Sequence, residues 1–472
     1  MFESIPVEVG LVHEGERVRK QDMQVELGGP SLPEKFEIVR VRPGDEITDG
    51  VIEIIGPDIP DMPEGKATPL GILVEIAGEK VEPDLEGVVE RRIHEYCNYI
   101  EGFMHLNQRY DIWIRLSKKS YKKGLNSLTH IGKVMHTLFK SELPIIEKVQ
   151  ITFITDPLEI KPLYAEAMKT YEARDARARG LSDDDVDTFY GCALCQSFAP
   201  THVCVITPQR YANCGAISWF DGRAAAGIDP KGPIYAIAKG ECVDKEKGEY
   251  TGVNESAKQR SMGEVNRVYL YSAFGYPHTS CGCFEGIAFY IPEVDGFGIV
   301  MRSFRDVTVN GLAFSTMADS TAGGRQVDGF HGISIEYMRS KRFLDADGGY
   351  CRVVWMPQET KDRLKEFIPA DVFPAIATEL DATSITDLKT FLTEHNHPVV
   401  NRWSAQENAD ETDLSAGPAS PVQVFSGGDI PITTAGFRII LKNAKITADK
   451  VIIQPIRPHG KTGGESRDAK KP

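Results

Sequence analysis

The chain has 472 residues, with 54 lysine plus arginine against 68 aspartate plus glutamate, a formal net charge of −14. That acidic excess argues against a nucleic-acid surface, which needs a basic patch or stripe, and 41% hydrophobic with 26% charged residues excludes disorder, collagen and coiled coil as the main state. No window approaches the roughly 18 apolar residues of a membrane span, and MFESIPVEVG lacks the basic-then-apolar order of a leader, so we expect a cytoplasmic protein of two or three domains.

The first segment reads as short strands between Gly/Pro/Asp turns: FEIVRV (36–41), GVIEIIG (50–56) and PLGILVEIAG (69–78). Residues 86–108 have helical periodicity, YDIWIRL (110–116) alternates as a strand does, and 118–143 is helical again. VQITFIT (149–155) predicts a buried strand leading into a charged helix over 157–180. The acidic, turn-forming LSDDDVD (181–187) marks a domain boundary.

The second region predicts strands at HVCVITP (202–208), PIYAIAK (233–239), NRVYLYS (266–272), GIAFYIP (286–292) and YCRVVWMP (350–357), with late helices over 358–368 and 385–395. Helices and strands are thus partly segregated, and the expected class is mixed α/β and α+β. We expect a mixed α/β domain over 1–180 and a strand-rich, cysteine-bearing domain over 181–403. Residues 404–472 read as a polar linker, a small β appendage (VQVFSG, GFRIILKN, KVIIQPI) and a frayed tail. GKT at 460–462 is no phosphate loop, because Pro455 stands where the motif needs glycine. GISIE lacks the second glycine of a nucleophile elbow, and no dinucleotide fingerprint follows a strand.

Nine cysteines are present, and six of them (Cys192, Cys195, Cys204, Cys214, Cys281, Cys283) fall in one stretch. In a cytosolic protein such clustering favours metal or catalysis over disulfides. Two thiolates separated by two residues can grip one ion or cluster, and two later thiolates on neighbouring segments can complete a tetrahedral or cubane shell. The spacing matches neither the bacterial ferredoxin run nor a two-knuckle zinc ribbon, so an iron-sulfur cluster, zinc and buried unligated thiols all remain open here.

Cys281-Gly282-Cys283 is the sharper feature. Thiolates at i and i+2 can chelate one ion only if the chain wraps tightly, which brings the intervening backbone nitrogens to bonding distance. Deprotonated amides would then complete a near-planar set of two sulfurs and two nitrogens, suited to nickel or copper rather than zinc. Gly282 has no Cβ to obstruct that wrap. A chance pair, or a surface redox pair, is the plain alternative.

The frame Cys192-x2-Cys195-x8-Cys204-x9-Cys214 followed by Cys281-Gly282-Cys283, in the contexts FYGCALCQSFAP and HTSCGCFE, resembles acetyl-CoA synthase, the family that bears the nickel-iron-sulfur A-cluster of the acetyl-CoA decarbonylase/synthase complex. The resemblance covers most of residues 1 to about 415 and takes the short archaeal form of the beta subunit, without the large N-terminal domain of bacterial enzymes. It implies that Cys192, Cys195, Cys204 and Cys214 hold a 4Fe-4S cubane and that Cys195, Cys281 and Cys283 bind a proximal nickel. A distal nickel would lie between the thiolates of Cys281 and Cys283 and the backbone nitrogens of Gly282 and Cys283. The implied reaction is reversible assembly of acetyl-CoA from carbon monoxide, CoA and a methyl group carried by a corrinoid iron-sulfur protein, with CO dehydrogenase subunits as further partners. Such chemistry needs a soft, coordinatively open metal.

The resemblance also places Phe198 beside the proximal metal, and Trp113 with Arg115 where CoA is met. CoA brings phosphates and adenine, which arginine and an aromatic face suit; strand alternation around a core is the plain reading of that pair. His202 and His278 flank cysteines and could donate to cluster sulfur, or be satisfied buried histidines. Cys97, Cys242 and Cys351 are expected to be buried small apolar residues. Competing functions are an iron-sulfur electron carrier without nickel and a structural zinc scaffold.

Overall fold

The computed structural model describes residues 2–29, 31–107, 109 and 112–403, together with the strands Phe437–Leu441 and Ala444–Ala448. By its internal contacts the chain forms one compact unit over Met1–Ala409 and another over Asp410–Pro472. The fold is mixed α/β.

In the first part of the larger unit, strands Lys35–Val41, Leu70–Ala77, Lys148–Ile154 and Ile52–Ile55 lie side by side in that order. The outer pairs are parallel and the central pair antiparallel. Leu70, Ile72, Val74 and Ile76 are wholly buried, and the near-continuous apolar run of this strand reflects a sheet covered on both faces. A second sheet orders Ala67–Thr68, Met23–Gly28, Ile112–Ser117 and Phe103–Asn107. In Ile112–Ser117 the isoleucines and Leu116 are buried and Trp113 and Arg115 lie on the opposite, half-buried face.

The predicted helix over 86–108 ends at Asn98, and Phe103–Asn107 is a strand. Asn98 turns the chain: its Nδ2 donates to the carbonyls of His94 and His105, each at 2.9 Å, and its Oδ1 accepts from the His105 amide at 2.9 Å. Beyond that turn FMHLN alternates with period two, and pairing with Ile112–Ser117 outweighs helical continuation. The 118–143 segment is likewise two helices, Lys118–Lys122 and Leu128–Glu142. Gly124, at φ 106, stops the first, and the Ser127 hydroxyl caps the second by accepting from Thr129 at 3.1 Å.

Helix Glu86–Asn98 holds both parts of the unit together. Of its 13 residues only Glu86 and Arg92 are not buried, a pattern that needs packing on all sides. Val89, Ile93, Tyr96 and Cys97 enter the core of the first part, whereas Val88 packs with Cys192, Cys204 and Cys214; each such side chain contributes roughly 1.5–3 kcal/mol. The Gly87 amide donates to Asp221 Oδ1 at 3.0 Å at the start of helix Trp219–Ile228. A Cβ at Gly87 would stand 2.5 Å from that oxygen, so glycine permits the approach.

The second part contains a three-stranded antiparallel sheet, with Thr188–Cys192 between Cys204–Ile206 and Ile234–Ala238. A four-stranded sheet orders Phe330–Ile333, Gly286–Ile291, Gly296–Met301 and Val353–Trp355. NRVYLYS is not a ladder strand; Tyr269 makes one isolated bridge to Pro277, and Val268, Leu270 and Tyr271 are buried in succession rather than alternately. Helices Trp219–Ile228, Thr251–Arg260 and Phe314–Thr321 lie between the strands, so helices are not confined to the end. Cys97 is buried as expected, but Cys242 and Cys351 are exposed. Cys242 stands on a two-stranded ribbon and Cys351 in a single 3-10 turn, neither covered by another layer.

Strand Phe437–Leu441, within GFRIILKN, pairs antiparallel with Ala444–Ala448. The polar 404–421 stretch, VQVFSG, KVIIQPI and the tail lie outside the described residues.

Candidate metal centre

Four short segments carry the six cysteines, and local structure aims each. Cys192 closes strand Thr188–Cys192 and Cys204 opens strand Cys204–Ile206; the two are direct partners across the antiparallel pair, which puts their side chains on one face. Cys195 sits in the 3-10 turn Leu194–Ser197. Cys214 lies in a reversal closed by Gly215 donating to Ala212 O at 2.8 Å. The Cys281–Cys283 turn is tied to that reversal by the Glu285 amide, which donates to Asn213 O at 3.1 Å.

All six cysteines, with Arg91, His202 and Asn213, line one cavity. The Sγ atoms of Cys195, Cys281 and Cys283 lie within 4.8 Å of one another. In the Cys281–Cys283 turn the Cys283 amide donates to Cys281 Sγ at 3.2 Å, so backbone nitrogen and sulfur already face each other. Gly282 makes this possible at φ 111, a region that residues with a Cβ rarely adopt. Arg302 braces the turn, donating from Nε to Phe284 O at 3.1 Å and from Nη2 to Gly282 O.

The other thiols are met by backbone amides as well: Leu194 donates to Cys192, Asn213 to Cys204 and Ala216 to Cys214. Burial nevertheless holds Cys192 well above the ordinary thiol range, raises Cys214, and pushes Cys204 up to about 12. In the three-sulfur group the Cys195 and Cys281 thiols hydrogen-bond Cys283 and hold it well below the ordinary range, while Cys195 is driven up by its bonds to Cys281 and Cys283 and by burial. A soft cation would deprotonate the set outright, and the donor set fits one.

Helix Glu86–Asn98 supplies the wall that the sequence reading missed. Arg91 brings Nη2 to 3.9 Å from Cys195 Sγ; burial opposes its charge, but Cys195, Cys283 and Cys214 overcome that and hold the guanidinium charged. His94 hydrogen-bonds the Cys283 thiol and is held neutral, near pKa 3, by burial and by Arg91. Arg91 and His94 share a helix face at i and i+3, but a charged face in sequence reads as solvent-facing, so only its burial exposes the role. Glu14 also reaches this region, accepting from Ser197 Oγ at 3.0 Å, and burial raises its pKa.

His202 lines the cavity, with Nδ1 2.9 Å from Thr279 Oγ1. His278 accepts from the Val205 amide at 3.0 Å through Nε2 and turns Nδ1 to Thr279 O at 2.8 Å, so both its ring nitrogens are engaged by backbone. Phe198 follows the Cys195 turn and is 44% exposed.

Residues 5–160 match the family described as CO dehydrogenase/acetyl-CoA synthase complex beta subunit, and residues 171–404 match the C-terminal family of the ACS/CODH beta subunit. The acetyl-CoA decarbonylase/synthase complex subunit beta of Methanothermobacter thermautotrophicus is 53% identical over 462 residues, spanning 96% of this chain and 100% of the relative. Subunit beta 2 of Methanosarcina thermophila is 52% identical over 469 residues (95% and 98%), and subunit beta of Archaeoglobus fulgidus 50% over 499 residues (97% and 95%). The chain belongs to the beta-subunit family of the acetyl-CoA decarbonylase/synthase complex.

In this family member, Trp113 and Arg115 lie together away from the cysteine segments in sequence, on strand Ile112–Ser117. The Arg115 guanidinium stacks 3.9 Å from the Trp113 ring and pairs with Glu26 at 2.8 Å. Arg305, which sequence reasoning did not single out, stands 5.9 Å from the same ring. Trp113 Nε1 is buried without a hydrogen-bond partner among the described residues. Among those residues no helix is long and apolar enough to cross a membrane.

Proposed function

We propose that this beta-family protein makes and cleaves acetyl-CoA at a nickel-iron-sulfur cluster held by its six clustered cysteines. Convergence of those cysteines on one cavity, three of them with sulfurs within 4.8 Å of each other, carries the reading. Cys192, Cys195, Cys204 and Cys214 hold a 4Fe-4S cubane; Cys195, Cys281 and Cys283 hold a proximal nickel. The thiolates of Cys281 and Cys283, with the backbone nitrogens of Gly282 and Cys283, hold a second nickel. The Cys283 amide already faces Cys281 Sγ, which supports that chelate.

When bound, such a cluster supplies a soft, coordinatively open metal at which a methyl group, carbon monoxide and the CoA thiol are joined. The chain's own residues act as ligands and walls. Arg302 keeps the turn closed through the Gly282 and Phe284 carbonyls, Arg91 offsets thiolate charge, and His94 stays neutral beside Cys283. Phe198 limits access to the proximal position from its exposed place after Cys195. Trp113 and Arg115, with Arg305, receive the adenine and phosphates of CoA, an aromatic-cationic surface suited to both. Residues 1–180 then form the CoA-contacting domain and 181–403 the cluster domain, with 404–472 an appendage. The methyl donor is a corrinoid iron-sulfur protein, and the assembly is completed by CO dehydrogenase subunits.

The test is nickel, iron, copper and zinc per chain, measured on protein purified without oxygen and incubated with Ni(II). Nickel and iron in a ratio of about two to four is the expected result, and Cys281→Ser should abolish nickel while sparing most of the iron. Iron without nickel would leave an electron carrier, and zinc alone would leave a scaffold.

A further inference from the structure

Two guanidiniums beside the cysteine cavity, Arg91 and Arg210, are buried with no carboxylate at ion-pair distance among the described residues, although Glu95 and Glu14 stand near enough to Arg91 to act on its charge. Arg210 is wholly buried. Its Nη2 donates to Asn213 Oδ1 at 3.0 Å and lies 2.8 Å from His331 Nε2, and its plane stacks 4.4 Å from the Tyr337 ring. Its Nε and Nη1, like Nη1 of Arg91, find no hydrogen-bond acceptor among the described residues. Buried Arg109, by contrast, is paired with Asp175, and half-buried Arg174 with Glu86 and Glu90. An isolated buried cation is expensive, and removing its partner more so. The partner of these two therefore has to be sought in the cavity they flank.

Arg91 lines that cavity and touches Cys195. Arg210 reaches it through Asn213, whose side chain it holds and whose backbone amide donates to Cys204. Four thiolates outweigh the positive charge of a cubane core, so the bound complex is anionic. We infer that Arg91 and Arg210 are counter-charges built for an anionic thiolate-bound cluster in this cavity, and that they raise its reduction potential. The inference rests on the cysteines being cluster ligands, as proposed above. Reduction adds an electron to an already negative complex, and positive charge nearby in a low-dielectric interior favours the reduced form. Tyr337 and neutral His331 position the Arg210 charge without cancelling it, since burial and Arg210 hold His331 well below the ordinary histidine range.

The experiment uses the full chain, loaded anaerobically with iron and sulfide but no nickel. Iron per chain is counted, and the cluster is titrated against redox buffers by electron paramagnetic resonance. Arg91→Met and Arg210→Met remove charge at similar volume; Arg91→Lys and Arg210→Lys keep it. With iron content equal to the parent, each Met variant should show an at least tenfold lower ratio of reduced to oxidised cluster at fixed poise, about 59 mV for one electron. The Lys variants should retain most of the parent ratio. An unchanged ratio in the fully loaded Met variants would overturn the inference, as would Lys variants that fall as far as Met.

Should Arg210→Met take up too little iron to titrate, metal-free unfolding decides. The variant should then be at least as stable as the metal-free parent, having lost an uncompensated charge, and lower stability would refute the counter-charge role. A parent chain that takes up no iron would overturn the ligand assignment itself and the inference with it.

Discussion

Gly282→Ala probes the proposed chelating turn most directly. Gly282 holds φ 111, and a Cβ there would stand 3.3 Å from the Ala322 Cβ. Keeping an alanine in that backbone region costs on the order of 1–3 kcal/mol, and the contact adds a shift of a few tenths of an ångström. The chain can escape only by rotating the peptide planes on either side of residue 282, which carries the Cys283 amide away from Cys281 Sγ, 3.2 Å from it in the parent. Either course weakens the chelate, so nickel affinity should fall roughly tenfold to a hundredfold while iron content is retained. Gly311→Ala is the control: it also holds positive φ, 80, with nothing within 4 Å of an added Cβ. Urea unfolding of the metal-free proteins should show a comparable loss for both variants, and chelator competition should show weakened nickel binding for Gly282→Ala alone. Nickel affinity within twofold of the parent at position 282 would refute the proposal that this turn is the nickel chelate.

Acid should destabilise the metal-free protein in a defined window. His202 and His397 are held down to about 4 by burial, so each stays neutral when folded yet takes a proton in the unfolded chain below about 6.5. The unfolded state then binds more protons, and the stability these groups contribute above pH 6.5 is lost as pH falls towards 4, by about 3 kcal/mol each at most; a urea midpoint unchanged from pH 7 to pH 5 would contradict it. Asp175→Ala strips the carboxylate from buried Arg109, which its Oδ1 and Oδ2 meet at 2.9 and 2.7 Å, and should cost about 3–5 kcal/mol in thermal or urea unfolding. Arg115→Ala should raise the Kd for CoA about tenfold in calorimetry without changing iron or nickel content, and unaltered CoA binding would remove this surface from the proposed function.

Local order was legible where one layer of packing decided it. Leu70–Ala77 and Lys148–Ile154 are short β-branched runs that read as strands, and Pro157–Arg179 begins at an Asp156 cap with proline in its first turn. The periodicity over 86–108 and 118–143 misled because three- and four-residue spacing persists through Phe103–Asn107 and Gly124; the Asn98 bonds and the Gly124 conformation break it, and neither leaves a mark in apolar spacing. Exposure of Cys242 and Cys351 was equally hidden, since residue type sets a preference for burial and not the presence of a covering layer.

The six cysteines and Gly282 stood out as a candidate ligand set from sequence alone, because ligand chemistry depends on residue type and short spacing, both of which survive without coordinates. Bringing Cys192, Cys195, Cys204 and Cys214 to the same cavity as Cys281 and Cys283, more than sixty positions later in the chain, was decided by the tertiary structure. So was the wall of Arg91, His94, Asn213 and Arg210. Their charges and amides resemble any solvated surface in a linear reading; enclosure in a low-dielectric interior, by segments distant in sequence, is what gives those groups their bearing on the thiolates.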